Sequence, residues 1–268
     1  VALAWFRVVA ETNIMLHNQT IRQTCSNLES ILINGNLDAI KQRLNVILGD
    51  CSESDLLEIN KVIGKPQNIY FLIHLILKDS DAMEAVRKAS YFHQNGFHKI
   101  VLLSMKNFKL RLHHFGAGAH IPMENIHDHR WPFASTILNG KLRMDLFEVN
   151  NEAAHGEDLI HYRYDSDKST GSYTTTLMGL TKLIRYERKV YEAGSSYLMT
   201  TKELHRIINK PGDESITMIL TGRPVGTTCN LYAKRMITEQ EKETPNYTLT
   251  GLRNQLLDMS ETVYPKNN

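Results

Sequence analysis

Hydrophobic and polar positions change their period near Tyr91. Before it the period is helical: Leu28, Ile31 and Leu32 recur at three- and four-residue steps, Asn34-Gly35-Asn36 interrupts, and Leu37, Ile40, Leu44 and Ile47 resume the spacing. Ser52-Glu53-Ser54-Asp55 supplies N-cap oxygens ahead of Leu56, Leu57, Ile59 and Val62. Gly64 and Pro66 punctuate, residues 68–78 read as a compact apolar helix, and Asp79-Ser80-Asp81 caps another over 82–89. The pattern predicts about four short helices packed as a small bundle. After Tyr91 the period falls to two. In 108–115, Leu110 and Leu112 take one side and Lys109, Arg111 and His113 the other. Gly116-Ala117-Gly118 reads as a turn. Residues 160–164, 172–177 and 183–191 read as strands, rich in Tyr, Thr and β-branched residues, and 197–199 leads on to His205. Residues 150–158 read as a polar loop, 193–194 and 209–213 as turns, and 215–221 as the last strand before Gly222. A polar tail from Thr238 ends in an amphipathic helix near 252–259.

The stretch 125–148 carries the candidate chemistry. His127-Asp128-His129 would place two imidazoles on one face of a strand. Asn139-Gly140 predicts a two-residue hairpin turn, because both turn positions favour positive φ. Residues 141–149 then alternate, with Leu142, Met144 and Leu146 on one face. An H-x-H pair alone describes many surface or core histidines. A third histidine, in Leu204-His205-Arg206-Ile207, lies on a later strand that a closed barrel would bring alongside. Three neutral imidazoles suit iron, zinc, copper or nickel and leave positions for water, O2 or substrate. By strand alternation Asp128 should point away, as a surface charge or supporting partner.

These motifs resemble those of the cupins, and more narrowly the cysteine dioxygenase-type branch. Ile126-His127-Asp128-His129, Leu138-Asn139-Gly140 and Leu204-His205-Arg206-Ile207 carry the resemblance, which covers residues 91–225. It implies an α+β, mainly β fold: a cupin-type β-barrel (double-stranded β-helix) with an N-terminal helical extension. The implied divisions are 1–23 as a leader or disordered, 24–90 as helices packed on the barrel, 91–236 as the barrel, and 237–268 as a tail with a helix. The usual cupin glutamate after H-x-H is replaced by Trp131-Pro132-Phe133-Ala134, which implies three histidine ligands and no carboxylate, as in the thiol dioxygenases. The chain departs from that branch elsewhere. Ala134 stands at its crosslinked cysteine. Residues 217–222 carry no His or Tyr where a Ser-x-His-x-Tyr series would fall, and its carboxylate-binding arginine falls near His98 and Lys99. Thus the metal scaffold carries over, and the thiol substrate with its acid-base apparatus does not.

A cavity beside such a site wants apolar walls with a few polar anchors. Lys99, Arg111, His113, Arg130, Trp131 and Tyr197 are the candidates, and a cation there would suit a carboxylate-bearing substrate. Trp131 and Phe133 share the parity of His127 and His129. Thr217 and Thr221 offer weaker donors. The sequence singles out no acid-base catalyst.

Composition narrows the partners. A net charge of +2 argues against a nucleic-acid binder. Three scattered cysteines suggest a reducing, cytoplasmic setting without disulfides. The longest apolar run, 69–77, contains His74 and is too short for a membrane span. Val1 begins an apolar stretch with no basic leader, and Met15 is the first methionine, so residues 1–14 could be foreign to the native chain. The expectation is an Fe(II)-dependent three-histidine oxygenase taking O2 and a small organic molecule. Its alternatives are a Zn, Mn or Ni isomerase or hydrolase, and a metal- or ligand-sensing module. The oligomeric state is open, with a dimer as one option.

Overall fold

The computed structural model describes residues 23–49, 51–93, 95–116, 124–166, 173–210, 212–237 and 246–265. Five helices come first: α1 (23–34), α2 (Leu37–Ile47), α3 (Glu53–Ile63), α4 (Pro66–Lys78) and α5 (Ser80–Ala89), one more than the period suggested. Their starts follow from local chemistry. Ser52 Oγ accepts the Asp55 N–H while the Asp55 carboxylate accepts the Ser52 N–H, a reciprocal cap on α3. Asp79 accepts the N–H groups of Asp81 and Ala82 at the start of α5.

The strands are β1 (Tyr91–His93), β2 (Phe97–Ser104), β3 (Lys109–Phe115), β4 (Ile126–His127), β5 (Phe133–Val149), β6 (Glu157–Ser166), β7 (Tyr173–Glu192), β8 (Ser196–Met199), β9 (Leu204–Ile208), β10 (Ser215–Thr221) and β11 (Thr228–Ala233), followed by α6 (Leu249–Val263). All pairings are antiparallel. One sheet runs β1-β2-β3-β10-β5, with β8 also on β5. The other runs β5-β7-β6-β11-β4-β9, and β9 pairs back onto β5, which closes it. The chain is thus mainly β, with an antiparallel sheet that closes on itself and a helical N-terminal region.

The helices back the first sheet. Leu110 and Leu112 of β3 share one buried cluster with Leu72 and Ile76 of α4 and Leu252 and Leu256 of α6. Arg111 and His113, at the alternate positions of β3, face the barrel interior. A second buried cluster inside the barrel joins Phe133, Ile137, Leu142, Met144 and Leu146 of β5 to Tyr197, Ile207 and Ile219.

Several expectations are corrected. Asn139-Gly140 is not a hairpin turn. β5 continues through it: Phe133–Ile137 pair with β10, whereas Lys141–Val149 pair with β7 and β9. Gly140 does have positive φ (72°), but it pairs with Ser215, two residues past a bulge at Leu138, where the strand passes from one sheet to the other. Residues 172–177 and 183–191 are not separate strands; β7 runs unbroken and absorbs Gly179 (φ 122°) opposite a register shift in β6. The 150–158 loop is shorter, because β6 already begins at Glu157. Residues 215–221 are not the last strand, since β11 follows. The turn expected at 116–118 and the leader expected in 1–23 fall largely outside the described residues. No helix among the described residues is long and apolar enough to cross a membrane.

Candidate metal centre

His127, His129 and His205 converge. Their ligand-capable nitrogens all lie within 4.8 Å of one another. The ring centroids are 4.9 Å apart for His127 and His129, 4.6 Å for His127 and His205, and 5.1 Å for His129 and His205. β4 is only two residues long and its His127 faces His205 directly across the β4–β9 pairing. His129 lies beyond the end of β4, so the same-strand argument fails although the convergence it was meant to explain is present.

The donor chemistry fits a divalent metal. The His127 Nδ1–H donates to the Asn125 carbonyl at 2.9 Å, and the His205 Nδ1–H donates to the Glu203 carbonyl at 3.2 Å. Each bond selects the tautomer that keeps the lone pair on Nε2 and fixes the ring plane. Burial and the neighbouring His127 push His205 down to about 3, and burial holds His129 well below the ordinary histidine value. These two rings are therefore neutral at pH 7, the form that ligates.

Asp128, between the two histidines, ties this segment to β11. Its carboxylate accepts the Asn230 backbone N–H and the Asn230 side-chain amide, both at 2.6 Å. His161 Nε2–H donates to Asn230 Oδ1 at 2.9 Å, extending the link to β6. Of its two expected roles, Asp128 takes the supporting one.

The histidines line a cavity of about 250 Å³. Lys99, Arg111, His113, Arg130, Trp131 and Tyr197 all line it, as do Phe133 and Thr217. Thr221 does not; its hydroxyl accepts the Lys109 N–H on β3. His98 turns to the opposite side of β2, where its Nδ1 is hydrogen-bonded to the Tyr247 hydroxyl. His93, Asn95 and Glu124 are among the lining residues that were not anticipated, as are Tyr164 and Cys229. The Glu124 carboxylate accepts the Ile207 N–H at 3.2 Å. Burial raises its pKa, while His127, that N–H and the Asn95 amide pull the other way. Glu124 precedes the first histidine, whereas the sequence pattern directs attention to carboxylates after it. Burial also raises the Tyr197 hydroxyl. The Tyr197 ring stacks on Tyr191 at 4.4 Å.

No family model and no curated protein matches the sequence. Among solved structures, a cupin-2 domain protein of Shewanella frigidimarina is similar at 13% identity over 47% of this chain and 79% of that one, with a TM-score of 0.27. A hydroquinone 1,2-dioxygenase from Sphingomonas sp. gives 7% identity over 56% and 74%, with a TM-score of 0.30. The polyketide cyclase RemF of Streptomyces resistomycificus gives 12% over 55% and 75%, with a TM-score of 0.29. Likeness at this level carries no weight for the reaction, so the fold rests on the strand order and the site on its own geometry.

Proposed function

We propose that the protein is a non-haem Fe(II)-dependent oxygenase of the cupin type, acting on a small organic molecule with O2 as co-substrate. The reading is carried by one observation: three imidazoles, two of them oriented by backbone carbonyls, converge on the wall of a cavity. His127, His129 and His205 would be the ligands. Ferrous iron, when bound, would supply the site for O2 and the electron-transfer chemistry that protein side chains lack. The chain's own part is to orient and exclude. Phe133 and Trp131 pack at His129, with ring centroids at 4.9 and 6.1 Å, and wall that side from water. Lys99, Arg111, His113, Arg130 and Tyr197 are the proposed substrate contacts. The cysteine dioxygenase-type resemblance extends to the metal ligands and stops before the substrate. A reducing, cytoplasmic setting belongs to the same reading, supported by three cysteines none of which forms a disulfide.

A second reading is favoured by Glu124. A buried carboxyl in the same cavity could serve as the base of a Zn, Mn or Ni isomerase or hydrolase, in which the metal acts as a Lewis acid.

Metal content after anaerobic purification tests both readings. Near-stoichiometric iron in the native protein, lost in His205→Ala, together with O2 uptake coupled to substrate consumption, supports the first. Zinc, manganese or nickel in its place, with turnover independent of O2, supports the second. Folded protein that contains no metal and takes up neither ferrous iron nor zinc, manganese or nickel removes both.

A further inference from the structure

Lys99 stands apart among the groups on the cavity wall. Phe97 and Lys99 lie on one face of β2 and line the cavity, while His98 between them turns to the other side. Lys99 pairs with His113 of β3. The Phe97 ring packs against His93 and His113, with centroids 4.5 and 4.6 Å away, so a wall of rings stands beside the amine.

A lysine drawn into a fold is ordinarily paired with a carboxylate. Lys99 instead donates to a neutral hydroxyl, that of Tyr91 on β1, at 2.9 Å, with its Nζ 5.1 Å from the Tyr91 ring centroid. Among the described residues no carboxylate forms an ion pair with it. Burial foremost, then Arg111 and Lys109 of β3, hold Lys99 well below the ordinary lysine value; Arg130 adds to this and Glu124 pulls the other way. A desolvated lysine beside other cations is a neutral amine at pH 7, and its lone pair attacks carbonyl carbon. Donating one N–H to Tyr91 leaves that pair unused.

We infer that Lys99 is a nucleophilic amine of the cavity and takes a small aldehyde or ketone as an imine on its Nζ. The Nζ lone pair forms a bond to the carbonyl carbon, and the π pair of the C=O bond moves to oxygen. Both amine protons then leave with that oxygen as water, and a C=N bond to Lys99 remains. The step consumes no oxidant and no reductant. The tethered molecule lies in the cavity that His127, His129 and His205 also line, and a volume of about 250 Å³ keeps it small. This deepens the proposed function, since it rests on the cavity being the substrate site, but no metal enters the step.

The full chain, stripped of metal by chelation, is treated with propanal and cyanoborohydride, which reduces an imine to a stable alkylamine. Peptide mass spectrometry then maps the modified lysines. At pH 7 Lys99 should be alkylated at least about tenfold faster than the other lysines, which are almost wholly protonated there. The ratio of Lys99 to those lysines should fall about tenfold from pH 8 to pH 9, because their neutral fraction rises while that of Lys99 is already full. In Lys99→Met the fast site should vanish and the other lysines should keep their rates. Lys99 alkylated no faster than the others at pH 7 overturns the inference, as does a ratio that stays constant from pH 8 to pH 9. Fast alkylation without metal uptake would keep Lys99 and remove the oxygenase reading; metal uptake without fast alkylation would do the reverse.

Discussion

Gly140 stands where β5 leaves one sheet for the other. A Cβ added there would lie 1.9 Å from the Glu214 carbonyl oxygen, on a backbone with φ at 72°. Neither strain can relax by a rotamer change. Gly140→Ala should therefore lower stability by about 3 kcal/mol or more, read by urea denaturation. A loss below about 0.5 kcal/mol would mean the strand passes between sheets by another route. The residue type was legible while its use was not, since positive φ serves a hairpin turn and a crossing between sheets equally. The same limit applies at the site. His205 could be found because its neighbours form a motif, whereas His93, Asn95 and Glu124 reach the cavity from separate segments with no spacing to link them. Asp128 shows the reverse case, a motif residue whose work is structural. Asp128→Ala should weaken metal uptake about tenfold without changing the metal selected, because it releases the backbone between two histidines from Asn230. Competition against a chelating dye measures this, and unchanged affinity would assign Asp128 no positioning role.

At the scale of elements, an ionic network clamps the strand that carries His205. Fully buried Asp145 of β5 takes Arg188 of β7 at 2.5 and 2.9 Å, and Arg206 of β9 lies 3.7 Å away. Arg206 continues to Glu157 of β6 with a paired contact at 2.9 and 2.6 Å. Arg206 and His205 are adjacent, so alternation sends one outward to this network and the other inward to the site. Burial pushes Asp145 and Glu157 up, but their arginines outweigh it and hold both below the ordinary carboxylate value. Depressed carboxylates contribute stability that is present above their unfolded values, about 4, and lost as pH falls through the lower folded ones. The melting temperature should thus fall steeply below about pH 4. Asp145→Asn should cost about 1 kcal/mol at pH 7, because Arg188 and Arg185 are half exposed and Arg206 keeps Glu157, and should flatten that acid slope. An unchanged slope would place the acid sensitivity elsewhere. None of this network was legible, because strand periodicity assigns faces and not cross-strand neighbours. Strand count suffered similarly. The pattern reads 172–177 and 183–191 as two stretches, yet β7 runs through both, and β11 lacks the alternation that would have marked it, with burial concentrated in Leu231, Tyr232 and Ala233.

On the scale of the whole molecule, the helical region and the barrel share a core. Leu110 and Leu112 of β3 and Ile216, Met218 and Leu220 of β10 are buried in the same cluster as Ile59 and Ile63 of α3, and Ile69, Leu72 and Ile76 of α4. α3 also reaches the first sheet by a hydrogen bond between the Asn60 amide and the Thr136 hydroxyl at 2.7 Å. The sequence shows two periods and invites a division near Tyr91. It cannot show that the apolar stripes on either side of that point are each other's partners. With the interface this continuous, helices and sheet should unfold as one unit. Met218 lies at this junction with no exposed surface. Met218→Ala should cost about 2–5 kcal/mol and should move the far-ultraviolet helix signal and the fluorescence of Trp131 by the same amount. Two separated transitions would show that the helices dock on an independently stable barrel. A single transition would tie the helices to function, because the strand that turns Leu110 and Leu112 toward them turns Arg111 and His113 toward the cavity. Loosening the helical layer would then shift Arg111 and His113, two of the proposed substrate contacts.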